Sequence, residues 1–293
     1  MRKGSKLDLF LPLVMIGILL PNAVPAAGAA EAIELRFKFS PGAISTYRMH
    51  AEQETEAQSD LSPGTVQKTS IDTKAVLREK ITSVSSGSAS VELSFDSFSA
   101  RQLIAGKAYP VDGGDEFRKI RIGLTMSGLG ELSGVHVLNP DEIKHAARRA
   151  AESICLSLSR QVLMLPERPV VPGDSWQVEK KIPSILPGVH GLDMRLTSSY
   201  KFIGTKKVRG RNCARIEARV SLSLQGKAER AGVPIAAELT GEGKGESLVA
   251  IEAGLLLSSQ SRMVISGDLT AGTKGQIVKT NIKVALKTGL DLK

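Results

Sequence analysis

The sequence predicts an α+β protein that is mainly β: antiparallel sheets in two similar halves, with one long amphipathic helix at residues 140–163 packed on a sheet face. Three observations predict this. Apolar and polar residues alternate with period two through most of the chain, a single stretch switches to helical spacing, and glycine and proline punctuate the two halves in the same order.

The elements follow in chain order. Arg2, Lys3 and Lys6 precede the apolar run Leu9 to Leu20, then Pro21 and small residues lead to Ala27-Gly28-Ala29. A basic start, a short apolar run and an A-x-A site make residues 1–29 a secretory signal peptide. The run is shorter than the ~20 residues of a membrane span. The expected mature chain is soluble and exported, to the periplasm or beyond. Ile33, Leu35, Phe37 and Phe39 then alternate with charged residues, as do Ala89 to Phe95, Ala214 to Leu224 and Ile282 to Leu286. Alternation of this kind belongs to antiparallel strands with one covered face. Asn139-Pro140-Asp141-Glu142 has the residues of a helix start, and Ile143, Ala147, Ala150, Ile154, Leu158 and Val162 follow at spacings of three and four. Pro166 and Pro169 end that helix. The organisation is therefore residues 30–138 as a first β-rich half, 139–165 as a connecting helix, and 166–293 as a second β-rich half. Pro41-Gly42 before Tyr47 echoes Pro172-Gly173 before Trp176. The Gly87 turn echoes the Gly210 turn, and Gly130 before Leu132 echoes Gly254 before Leu255.

Composition narrows the function. The chain has 293 residues, 42% hydrophobic and 24% charged, with a net charge of +9. It is too mixed for a disordered chain and too polar for a multi-span membrane protein. Aromatics are 4% of the residues, which together with export argues against nucleic acid. From Lys201 to Lys293 there are 16 basic and 8 acidic residues, so the C-terminal half is the part suited to an anionic partner, with solubility as the plainer reading. Lys206, Lys207, Arg209 and Arg211 crowd the Gly210 turn and are the candidate anion contacts, with a solvated hairpin tip as the plainer reading.

No catalytic set assembles from the sequence. His50, His136, His145 and His190 show no metal-ligand spacing, and no metal or cofactor is expected. Gly173-Asp174-Ser175-Trp176 invites comparison with a serine hydrolase, but no suitable base follows the serine and the G-x-S-x-G elbow is missing. A turn that starts a strand, with Trp176 in the core, accounts for it. Asp112-Gly113-Gly114-Asp115-Glu116 lacks the alternating order of a calcium loop and reads as a hairpin tip. Cys155 lies beside the apolar stripe of the helix, whereas alternation puts Cys213 on the wet face of its strand with Arg215 and Glu217. This directional mismatch argues against a Cys155–Cys213 disulfide.

The blocks Leu35-Arg36-Phe37-Lys38-Phe39-Ser40-Pro41-Gly42, Pro172-Gly173-Asp174-Ser175-Trp176 and Glu252-Ala253-Gly254-Leu255-Leu256 resemble a family of uncharacterised secreted bacterial proteins. That resemblance implies export and a β-rich build, and it brings no catalytic residue. By architecture alone the chain also resembles periplasmic lipid and lipoprotein carriers. The resulting expectation is a non-enzymatic exported protein holding a lipid or other amphiphile between sheet and helix, with the basic half near an anionic head. The alternatives are a structural or protein-interaction module of the cell envelope, with an envelope protein as partner, and, third, a hydrolase.

Overall fold

A computed structural model describes residues 31–104, 106–110, 114–160, 163–182, 191–230, 233–273 and 276–293. The elements in order are β1 (Ile44–Ser59), β2 (Val66–Ser85), β3 (Ser88–Ile104), β4 (Lys107–Pro110), α1 (Gly114–Lys119), β5 (Arg121–Ser127), β6 (Leu132–Val137), α2 (His145–Arg160), β7 (Ser175–Ile182), β8 (Leu192–Val208), β9 (Arg211–Arg230), β10 (Val233–Ala250), β11 (Leu255–Thr273) and β12 (Gln276–Leu292). All the strands belong to one 12-stranded antiparallel sheet, in the order β6-β5-β3-β2-β1-β12-β11-β10-β9-β8-β7, with β4 paired to β3. The first and last long strands meet in the middle, Tyr47 opposite Leu292 through to Ser59 opposite Thr280.

This overturns the α+β expectation. The described chain is nearly all antiparallel sheet with two short helices, and it forms one sheet where separate sheets around a long helix were expected. The helix expected over residues 140–163 is His145–Arg160. Its delayed start comes from contacts with an earlier part of the chain. The Asn139 side chain, read as a cap, accepts from the Arg121 N–H at 3.1 Å and donates to the Lys119 carbonyl at 2.8 Å. It therefore ties the α1–β5 junction, while the Lys144 N–H donates to the Glu116 carboxylate at 3.3 Å. The expected hairpin tip at 112–116 is likewise corrected in its described part, because Gly114, Asp115 and Glu116 open α1.

Four clusters bury one face of the sheet, the smallest being Ile81, Ala89, Val91 and Leu124. Leu192, Met194, Leu196, Val220, Leu222 and Leu224 pack with Met263, Ile265 and Val284 across β8 to β12. Phe95, Ile120 and Ile122 pack with Phe117 of α1 and with Ala147, Ala151 and Cys155 of α2. The third cluster lies under residues 33–39, which alternation marked as a strand. Only Ile33 is ladder-paired, to Val170. The rest is a strap that ties three turns together. The Phe37 N–H donates to the Gly128 carbonyl at 2.8 Å, the Lys38 N–H to Gly254 at 3.2 Å, and the Arg36 guanidinium to Pro166 at 2.6 Å. Leu35 and Phe37 go inward as alternation required and meet Tyr200, Phe202 and Ile216.

The three echoed glycine positions fall at matching places. Pro41-Gly42 precedes β1 and Pro172-Gly173 precedes β7; Gly87 joins β2 to β3 and Gly210 joins β8 to β9; Gly130 joins β5 to β6 and Gly254 joins β10 to β11.

Ionisable groups also sit among the apolar residues of the buried face. Glu79 alternates with Leu77 and Ile81 on β2, and burial raises its carboxyl above the ordinary carboxylate value. The same surroundings, together with the Glu79 charge, hold the Tyr47 hydroxyl above its usual range. A carboxyl whose folded value is raised adds stability below its unfolded value and loses it as pH rises through the folded one. Glu79→Gln is therefore expected to remove a decline in unfolding free energy on the alkaline side of the carboxylate range. Urea titrations across pH measure it, and an unchanged pH slope in the variant would contradict the assignment.

A candidate ligand groove on the polar face

The opposite face of the sheet carries the charged half of each alternating pair, and there the strands around the β1–β12 seam form an open groove of about 1030 Å³. Its floor is laid out in rows by the strand register. In one row Lys244 of β10 is opposite Arg262 of β11, Arg262 is opposite Lys287 of β12, and Lys287 is opposite Glu52 of β1. In the next row Glu246, Gln260, Gly289, His50 and Lys74 follow one another across five strands. The third holds Asp291, Arg48 and Val76. Neighbours within a row are about 4.8 Å apart and rows about 7 Å apart.

Several of these charges neutralise one another. Lys287 pairs with Glu52 at 3.0 Å, and Arg215 pairs with Glu246 at 2.8 Å and Glu217 at 3.3 Å. The His50 ring nitrogen lies 2.9 Å from Asp72. Arg48, Lys244 and Arg262 line the groove, are exposed, and have no ion-pair partner among the described residues. Like charges placed directly opposite on adjacent strands repel, so the Lys244–Arg262–Lys287 row carries a cost that an anion would relieve. The groove wall nevertheless exposes more carbon than nitrogen or oxygen, because arginine and lysine lay their aliphatic stems along it and Val76 stands at the β2 end.

The residues singled out in the sequence lie mostly elsewhere. Lys206, Lys207, Arg209 and Arg211 do form the β8–β9 turn, with Arg209 and Gly210 both at positive φ. Two of them are already engaged: Lys206 is 3.5 Å from Glu246 and Arg209 donates to the Leu292 carbonyl. None of the four lines the groove. Asp174 accepts from the Val171 N–H at 3.2 Å, and the Trp176 indole donates to the Met164 carbonyl at 2.8 Å. Trp176 also stacks near Tyr200, with ring centroids 5.5 Å apart. Burial pushes the Tyr200 hydroxyl up to about 12. The Gly-Asp-Ser-Trp segment is thus engaged in packing.

His50 lies in the groove, while His136 is on β6 against its own Gly134 carbonyl, with β5, β3 and β2 between them. His190 and the leader at residues 1–29 lie outside the described residues. Neither cysteine is in a disulfide, and the two sit in separate clusters. Cys213 is not on a wet surface as alternation suggested: Leu248, Ala250 and Leu257 cover it completely. The space between sheet and α2, expected to hold a ligand, contains the buried side chains of Ala147 and Ala151. Among the described residues no His/Cys/Asp/Glu cluster is placed to hold a metal ion, and no helix is long and apolar enough to cross a membrane.

Fold and site together define an antiparallel single-sheet protein with a cation-lined groove across its terminal strands. No protein-family model matches the sequence, including any for the secreted family suggested by the Pro172–Trp176 turn, and no curated protein matches it. Solved structures similar to it include lipovitellin, studied for lipid–protein interactions, at 12% identity and a TM-score of 0.48 over 87% of this chain. The chain spans about a quarter of that lipovitellin chain, 25%. DynF from the dynemicin pathway of Micromonospora chersina is similar at 7% identity and a TM-score of 0.22, over 94% of this chain and 95% of its own. A DUF1329 family protein from Desulfovibrio piger is similar at 9% identity and a TM-score of 0.15, over 83% and 85%.

Proposed function

We propose that this chain is an exported, non-enzymatic binding protein whose ligand is an amphiphile lying in the groove across the β1–β12 seam. One observation carries the reading: a concavity of about 1030 Å³ whose wall is more carbon than polar, yet whose β10–β12 end bears cations without partners. A ligand with an anionic head and an apolar body meets both demands, the head over the basic row and the body toward Val76 on β2. The basic excess after Lys201 supports the same polarity.

The test is native mass spectrometry of the protein purified from an exported fraction, followed by organic extraction. A bound mass that extracts as lipid is the expected result. A clean apo mass, with no uptake from an added lipid mixture, would favour the second reading, an envelope protein-interaction module. The open outer edges of β6 and β7 are what support that alternative.

A further inference from the structure

The geometry points to a phosphate seat over Gly289, with Arg48 and Arg262 as its two claws. The inference rests on the groove being the ligand site and names the chemistry of the ligand's head. Gly289 is a bare point in the side-chain carpet: a Cβ built there meets nothing within 4 Å. Gln260 stands directly opposite it on β11 and His50 directly opposite on β1. The guanidiniums come from the two diagonals. Arg262 belongs to the row of Lys287, two residues before Gly289, and Arg48 to the row of Asp291, two residues after it. Their Cα atoms are therefore separated by about 10 Å across the strands and about 14 Å along them, so two extended arginine side chains reach the space over the glycine from opposite sides.

The charges around the seat support an anion. Glu52 is held by Lys287, and Glu217 and Glu246 by Arg215. Asp291 is opposite Arg48 in the ladder, but no ion pair joins them. Arg48 and Arg262 thus keep their forks free, and Lys244 adds a third unpaired charge beside Arg262. A planar carboxylate offers its two oxygens along one edge. A tetrahedral phosphate offers oxygens to donors on opposite sides at once, and guanidinium forks bind it in paired, charge-assisted hydrogen bonds.

The experiment measures binding of decyl phosphate, decanoate, decyl maltoside and inorganic phosphate to the full mature chain by calorimetry. It uses wild type, Arg48→Gln and Arg262→Gln. Both arginines are exposed, and thermal unfolding checks that the fold is kept. Decyl phosphate is expected to bind more tightly than decanoate and to weaken on the order of tenfold or more in each variant. Decyl maltoside should be indifferent to both substitutions. Decyl phosphate binding that neither substitution changes, or decanoate binding as tightly as decyl phosphate, overturns the seat and leaves the amphiphile reading standing. If no decyl compound binds while inorganic phosphate binds in an arginine-dependent way, the seat stands for free phosphate groups and the amphiphile reading falls. Binding of none of the four overturns both.

Discussion

Gly226→Val is expected to destabilise the fold by more than about 4 kcal/mol, enough to leave little folded protein at ordinary temperatures. Gly226 on β9 has a φ of 142°, a region that L side chains rarely adopt. A Cβ there would overlap the backbone carbonyl oxygen of Gly191 and crowd the Leu192 Cα. Neither partner can swing aside, because both belong to main chain leading into β8, and Leu192 pairs with Gly226 in the ladder. Leu192 and Leu224 beside this contact both belong to the apolar cluster across β8 to β12, so any backbone shift is passed directly into the core. Equilibrium urea unfolding measures the loss. A midpoint within error of wild type would show that the β8–β9 hairpin does not approach this closely.

Gly289→Phe is expected to do the reverse: to abolish amphiphile binding while leaving stability unchanged or slightly raised. The position has an ordinary strand conformation, and its missing side chain points into open groove. A phenyl ring there fills the middle row between Gln260 and His50 and covers the approaches of Arg48 and Arg262. Aromatic residues suit strands better than glycine does, so the folded state has no reason to suffer. Native mass spectrometry with added lipid, beside thermal unfolding, reads both quantities. Retained lipid binding in a folded Gly289→Phe protein would place the ligand outside this groove.

The difference between these two glycines shows how far the residue pattern alone reaches. Both stand in stretches where alternation is plain, and nothing local separates the one that touches a neighbouring backbone from the one that faces solvent. The same limit explains why the proposed anion site was not legible. Arg48, His50 and Glu52 alternate visibly, as do Gln260 and Arg262, and each charged face was legible strand by strand. The strand ladders then bring residues more than two hundred positions apart into one row, since β12 returns to pair with β1. The cluster that was legible, Lys206 to Arg211, stood out because its charges are close along the chain, and two of its four members are occupied by Glu246 and the Leu292 carbonyl.

Period-two alternation was sufficient to determine the β character and the inward direction of Leu35, Phe37, Phe95, Ile216 and Val284, because side-chain direction in an extended chain is local geometry. Local signals also placed the turns at Gly87, Gly210 and Gly254, where positive φ favours glycine. Two local readings gave way to long-range contacts. Asn139 looked like a helix cap and became a tie between Arg121 and Lys119, so α2 begins at His145. Residues 33–39 looked like a strand and became a strap across three turns. In both cases a backbone or side-chain group found its hydrogen-bond partner far away in the chain. The closing of all strands into one sheet, and with it the groove, depended on pairing between the chain's two ends. That register is set by the fit of whole faces against one another, a property that no single segment carries.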